Sequence, residues 1–240
     1  MSDYQHQVHC SPAELDIEFW KKPVGVSVPD DELEFLLVPD AAEALAAAEV
    51  ARQVHAYQRG GAEPITAALM ATMGGMLPGI LLHDHLVHGR GSDEPTIEFG
   101  TVGVSLYKGP NERYDEPQVR QDISVAVENR VVLVIDDLGD RGGTLQFLRE
   151  HLAERGARRV LTLALYMKPE AMRVCPADFH FGELAQDTWL ITPRELVETM
   201  VKRVPVWRER GADLAECRRR LVDIIGYPPG LADTYLPQLF

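Results

Sequence analysis

Three acids and a glycine turn fall within one short stretch, Asp136-Asp137-Leu138-Gly139-Asp140-Arg141-Gly142-Gly143-Thr144. The five residues before it, Val131-Val132-Leu133-Val134-Ile135, are all apolar and mostly β-branched. Such a run reads as a central parallel strand, buried on both faces, whose carboxyl end delivers Asp136 and Asp137. Two adjacent carboxylates can accept from a vicinal diol or organise a hydrated Mg²⁺. Gly142, Gly143 and Thr144 then open a helix, and a helix N-terminus aims its free N–H groups at an anion. The two glycines let that backbone come close, and Thr144 adds a hydroxyl. A diol site beside a phosphate site describes a holder of ribose 5-phosphate. The plainer alternatives are a solvated acidic strand end capped by Asp140, and a phospho-acceptor receiver domain. The latter needs a Thr or Ser and a Lys on later strands and a shorter chain.

The elements that must position these residues alternate along the chain. Ala41–Tyr57 has apolar residues at helical spacing and is stopped by Gly60-Gly61. Ile65–Thr72 reads as a buried strand, Leu77–Val87 as a helix and Ile97–Tyr107 as a β-branched strand. Lys108–Gln121, polar and containing Gly109-Pro110-Asn111, reads as a mobile loop. Gly143–Arg155 is a helix stopped by Gly156. Val160–Met167, Phe179–Phe181 and Thr188–Ile191 are further strands. Helices near Arg194–Lys202 and Ala212–Ile225 precede an irregular tail at Pro228-Pro229-Gly230. This alternation predicts an α/β fold with a doubly wound, mainly parallel sheet. Ligands of such sheets bind at the carboxyl ends of the strands.

The chain has 240 residues, with 24 Lys and Arg against 37 Asp and Glu, a formal charge of −13. A hydrophobic content of 45% excludes wholesale disorder. The acidic balance argues against a nucleic-acid partner held by phosphate contacts. It leaves room for small anions held by a local nest of amides and a few cations. Cys10, Cys175 and Cys217 are odd in number and widely spaced, without CxxC, which fits a reducing cytoplasm. The opening Met-Ser-Asp-Tyr-Gln-His has neither the basic nor the apolar region of a signal peptide. The apolar stretch Ile65–Leu82 is broken by Gly74, Gly75, Pro78 and Gly79, so a turn rather than a membrane span is expected.

The stretch around Asp136 resembles the phosphoribosyl pyrophosphate signature of the type I phosphoribosyltransferases. Arg141 stands where the family usually has Thr. The likeness extends to Ala71-Thr72-Met73-Gly74-Gly75-Met76-Leu77-Pro78-Gly79, which looks like the pyrophosphate loop of the bacterial xanthine-guanine enzymes. Met73 replaces the family's basic residue, and the peptide at this place is often cis in the family. Val104-Ser105-Leu106-Tyr107 is similar to the Ser-Tyr strand end before the loop that closes over the reaction, with Leu106 inserted between Ser105 and Tyr107. Leu163-Ala164-Leu165-Tyr166-Met167-Lys168-Pro169 and Gln186-Asp187-Thr188-Trp189-Leu190-Ile191-Thr192-Pro193-Arg194-Glu195 resemble the base pocket and hood of the purine branch.

The resemblance implies roles. Asp136 and Asp137 would hold the ribose diol and Mg²⁺. Arg141, Gly142, Gly143 and Thr144 would hold the 5-phosphate, and Met73, Gly74 and Gly75 the pyrophosphate. Asp140 would act as the base near purine N7. Lys168 would donate to O6, Trp189 would stack on the base, and the Leu190 backbone would meet its edge. Glu195 would reach a second Mg²⁺ through water. The implied activity is a Mg²⁺-dependent transfer from phosphoribosyl pyrophosphate to a 6-oxopurine or a 7-deazapurine-like base, in a cytoplasmic homodimer or homotetramer with no nucleic-acid or membrane partner. The alternative is a non-catalytic regulator on the same fold that senses the donor or a nucleotide. The matched region, residues 41–200, would be the catalytic domain with a small hood. Residues 1–40 and 201–240 would be terminal extensions, the latter helical.

Other residues carry weaker signals. His83-Asp84-His85-Leu86-Val87-His88 has metal-like letters, but an α-helix puts only His85 and His88 on one face. Arg218-Arg219-Arg220 reads as a solvated helix face, Trp20 and Trp207 as structural, and Cys175 as lacking a partner base.

Overall fold

A computed structural model of the chain describes residues 3–109 and 112–240, leaving aside the side chains of 106–116. The elements in chain order are α1 (Asp3–His9), α2 (Ile17–Lys21), β1 (Val26–Ser27), β2 (Glu34–Leu37), α3 (Asp40–Arg59), β3 (Ile65–Thr72), α4 (Met76–His83), β4 (Glu98–Gly109), β5 (Glu112–Gln121), β6 (Val131–Gly139), α5 (Gly143–Glu154), β7 (Arg159–Met167), α6 (Pro169–Val174), β8 (Phe179–Glu183), β9 (Thr188–Ile191), α7 (Leu196–Glu209), α8 (Leu214–Arg219) and α9 (Pro229–Tyr235). Two compact units arise, Ala44–Glu183 and the pair of segments Met1–Glu43 and Leu184–Phe240.

In the unit Ala44–Glu183, six strands lie in the order β5-β4-β3-β6-β7-β8. All neighbours are parallel except β4 and β5. This is the expected mainly parallel α/β sheet. The long, mostly apolar runs take its middle, because β3, β6 and β7 are covered on both faces. Leu145, Leu148 and Leu152 recur at helical spacing along α5 and are buried with Leu69, Val132, Val134 and Met167. Each such side chain contributes about 1.5–3 kcal/mol by leaving water. This packing fixes the start of α5 directly after the end of β6.

The expected mobile loop at Lys108–Gln121 is corrected. Residues 112–121 form β5, antiparallel to β4, with Ser105 opposite Gln118 and Val104 opposite Val119. Pro110 and Asn111 of that stretch lie outside the described residues. An edge strand tolerates polar residues and a proline such as Pro117, since one of its backbone edges has no sheet neighbour.

In the other unit, β1 pairs antiparallel with β2, and β2 pairs parallel with β9. Phe35 stands opposite Trp189 and Leu36 opposite Leu190. That pairing lies within the unit that joins Met1–Glu43 to Leu184–Phe240. Tyr4 is buried, donates its hydroxyl to the Ile225 carbonyl at 2.9 Å and accepts from the Leu37 N–H at 2.9 Å. The tail expected after Pro228 is partly helical, since Pro229 starts α9 where its missing N–H costs nothing. No described helix is long and apolar enough to cross a membrane.

Candidate active site

β6 carries Asp136 and Asp137 as its sixth and seventh residues, and the Asp137 N–H donates to Asp136 Oδ1 at 3.0 Å. Asp137 is buried and Asp136 is half-buried. The turn after β3 comes against them. A Cβ added at Gly74 would fall on the carboxylate oxygens of both acids, and one at Gly75 would strike the Ile135 carbonyl oxygen. Only glycine permits this approach at both positions. The turn is closed by the Gly75 N–H donating to the Ala71 carbonyl at 2.7 Å, and the Thr72–Met73 peptide is cis. Met73 is 67% exposed, so an uncharged side chain occupies the outer edge of this turn.

After Gly139 the chain turns through Asp140 and Arg141 to Gly142, which has φ +81° and begins α5. That left-handed conformation favours glycine. Around Gly143 there is open space on the side where a Cβ would stand. Thr144 follows in the first turn, and Arg141 is exposed, with its Nε 3.8 Å from Glu170 Oε2. Backbone N–H groups, a hydroxyl and an adjacent guanidinium suit a phosphate.

β7 lies beside β6, with Gly139 opposite Met167. The next residue, Lys168, donates its N–H to the Gly139 carbonyl at 2.9 Å. Its side chain is buried, and Nζ stands 2.8 Å from Asp140 Oδ1. The structure therefore joins the expected base and the expected O6 donor in one ion pair.

Ser105 is half-buried on β4, and the side chain of Tyr107 lies outside the described residues. Trp189, Leu190 and Glu195 belong to the other unit. Trp189 is partly exposed, and its Nε1–H donates to Thr199 Oγ1 at 3.0 Å. Both Glu195 oxygens have partners: Oε2 accepts from the Thr192 hydroxyl at 3.1 Å, and Oε1 from Arg194 Nη2 at 3.0 Å.

Asp136 and Asp137 fit the Mg²⁺ that the resemblance implies. They are hard oxygen donors against a glycine turn, and this ion binds through one or two carboxylates plus substrate phosphates and water. Among the described residues no group of three or more His, Cys, Asp and Glu side chains is placed to hold a metal. In the histidine cluster, Asp84–His88 is a π-helical turn that brings the rings of His83 and His88 within 5.8 Å, a pairing that α-helical spacing does not give. The Arg218–Arg220 face is also corrected. Arg220 is buried and bonds Glu216 at 2.9 Å. Trp20 and Trp207 are fully buried, and burial pushes the Cys175 thiol pKa up.

Sequence reading missed Thr199 and Arg203, which contact Trp189, and Asp31, which pairs with Arg203. A signal existed. Met200, Val204 and Trp207 mark the buried face of α7, and Arg203 falls on it.

No family model matches the chain. It is 36% identical over 95 residues to a xanthine-guanine phosphoribosyltransferase of Idiomarina loihiensis, covering 40% of this chain and 54% of the relative. It is 30% identical over 148 residues to one of Gluconobacter oxydans, covering 62% of this chain and 78% of that protein. The crystal structure of a purine phosphoribosyltransferase from Pyrococcus horikoshii shares the fold, with a TM-score of 0.51, 21% identity and coverage of 66% of this chain and 92% of that one. The extent of the Gluconobacter match, together with the shared fold, places this chain in the type I purine phosphoribosyltransferase family.

Proposed function

We propose that the chain transfers the 5-phosphoribosyl group from phosphoribosyl pyrophosphate to a 6-oxopurine or a purine-like base such as a 7-deazapurine, with Mg²⁺, and releases pyrophosphate. The observation that carries this reading is the carboxylate pair Asp136 and Asp137, set against Gly74 on a strand that runs into the αL Gly142 and α5. A glycine on one side and a helix N-terminus on the other suit a donor with phosphates at both ends of a ribose.

In the reaction the C1–O bond breaks, and its electron pair leaves with pyrophosphate. The N9 lone pair forms the new C1–N9 bond. Asp136 and Asp137 hold the ribose diol and stabilise the positive charge that develops on the sugar. The amides of Gly142 to Thr144 hold the 5-phosphate, and the turn at Met73 and Gly74, closed by the Gly75 N–H on Ala71, receives the pyrophosphate. Asp136 and Asp137 would also hold Mg²⁺, which when bound would supply positive charge to offset that of the pyrophosphate. Asp140 takes the proton that the purine sheds as N9 attacks. Lys168 donates to O6, and Trp189 offers its indole face to the base.

The test is pyrophosphate release with the donor, Mg²⁺ and a panel of guanine, xanthine, hypoxanthine, adenine, a 7-deazapurine and a pyrimidine. Turnover of a 6-oxopurine or deazapurine supports the proposal. Tight donor binding without turnover of any base overturns it in favour of a regulator on the same fold.

A further inference from the structure

Arg203 lies on the buried face of α7, with 8% of its surface exposed. Its Nη2 donates to Asp31 Oδ1 at 2.5 Å and Oδ2 at 2.6 Å. The Asp31 side chain has no exposed surface and also accepts from Trp207 Nε1 at 2.6 Å. The guanidinium carbon stands 5.5 Å from the centre of the Trp189 ring and 5.9 Å from that of Phe35. Lys202 Nζ is also over the Trp189 ring, at 5.9 Å, but its side chain is half exposed and pairs with Glu198. Of the two cations, Arg203 is the one fixed by a buried carboxylate.

We propose that Arg203 is a positioning residue for base binding: anchored by Asp31, it fixes the plane of the Trp189 indole so that the ring is already set when a purine stacks on it. This rests on the reading of Trp189 as the base-stacking residue. The Trp189 ring has two further restraints, the hydrogen bond from Nε1 to Thr199 and the pairing of its strand with β2. Neither spans the ring face. A guanidinium over the ring does, because the cation is drawn to the π-cloud. An ordered ring binds more tightly than a rotating one, since less freedom is lost on stacking. The arrangement also gives the terminal segments a task, because Asp31 precedes β2 and Arg203 lies on α7, both outside the region where the signature motifs sit.

The test uses Arg203→Lys, which keeps the charge for Asp31 but loses the planar fork, and the neutral pair Asp31→Asn/Arg203→Met, which leaves an acceptor for Trp207. Steady-state kinetics with guanine and the donor should show the KM for guanine raised about fivefold in the double variant and less in Arg203→Lys. The KM for the donor and kcat should stay within about twofold. In parallel, acrylamide quenching of Trp189 emission is isolated by subtracting the matching Trp189→Phe protein, and quenching should rise in both variants. This second arm needs no turnover. Unchanged guanine KM and unchanged quenching overturn the proposal. If Trp189→Ala leaves the guanine KM unaltered, the stacking reading fails instead, and the quenching result alone decides whether Arg203 orders the ring.

Discussion

Lys168 Nζ and Asp140 Oδ1 stand 2.8 Å apart, with Lys168 buried and Asp140 half exposed. The pair sits where β6 and β7 end side by side, so two neighbouring strands bring an acid and a cation to one point. A base that presents both a proton near N7 and an oxygen at C6 would satisfy both groups at once. Replacing Asp140 by Asn keeps the shape and an acceptor oxygen but removes the proton sink. We expect kcat with a 6-oxopurine to fall at least about 100-fold, the range typical of a lost general base. Donor affinity should be unchanged. Stopped-time assays of nucleotide formation measure the first, and donor titration the second. Turnover at the wild-type rate would show that Asp140 is not the base.

Removing the cation tests the other half of the pair. Lys168→Met keeps the buried stem and loses the donor. The KM for guanine or hypoxanthine should rise about tenfold or more, as expected for an unmade hydrogen bond to a charged group. Adenine, which has an amino group at C6, should gain relative to them. The ratio of kcat/KM between hypoxanthine and adenine is the measurement. A ratio that does not move would place O6 recognition elsewhere.

Gly74 admits no side chain. A methyl group there would displace the carboxylates of Asp136 and Asp137, the proposed ribose holders. Gly74→Ala should therefore weaken donor binding about tenfold or more, with a stability loss of about 1–3 kcal/mol from overpacking. Isothermal titration with the donor and denaturant melts separate the two effects. A variant that binds donor normally would mean the carboxylates do not need their present positions.

The parts of this fold that a single sequence discloses are those whose burial is decided locally. Val131 to Ile135 and Ile65 to Ala71, uncharged and almost wholly apolar, announce central strands, because a strand covered on both faces has little room for polar residues. Gly142 and Gly74 are legible because each answers a local demand of the backbone. β5 is not legible: an edge strand needs no apolar run, and Pro117 counts against one. The partner of β2 is not legible either, because Phe35 and Trp189 meet through a pairing that no local pattern records. Asp31 and Arg203 share that difficulty, although a charged residue on the apolar face of α7 was a visible sign that a buried counter-charge exists.

Met73 leaves the turn beside Asp136 without a basic side chain at its outer edge. Its side chain is largely exposed, so a longer cationic one can be accommodated without repacking. Met73→Lys should lower the KM for the donor by about threefold to tenfold at low salt, since a cation beside a phosphate adds a charge-assisted contact. The gain should shrink as ionic strength rises, because the new charge is screened. Donor KM measured across a salt series checks both statements. A variant whose donor KM equals the wild-type value at low salt would place the pyrophosphate away from this side chain.

Asp31 supplies the pH dependence. Burial raises the pKa of its carboxyl, but the hydrogen bonds from Arg203, Trp207 and the Leu33 N–H, together with the Arg203 charge, outweigh that and hold it below the ordinary value. A folded-state pKa below the unfolded one means that the fold favours the ionised form. The stability this contributes is present above the unfolded value, about 3.9, and is lost as pH falls through the lower folded value. Other carboxylates are also lowered, Glu216 to about 2 through Arg219 and Arg220, so the acid limb has several contributors. The difference between wild type and Asp31→Asn isolates one of them. At neutral pH the variant should lose about 3–5 kcal/mol, because a buried cation loses its close partner and keeps only the exposed Glu32, 3.9 Å away. That deficit should narrow as pH falls below about 4, where Asp31 of the unfolded chain takes up a proton while that of the folded protein stays ionised, and it should close as pH passes the lower folded value. Urea unfolding curves at a series of pH values from neutral to 3 measure the gap, and a gap that stays constant over that range would contradict an ionised Asp31 in the folded protein.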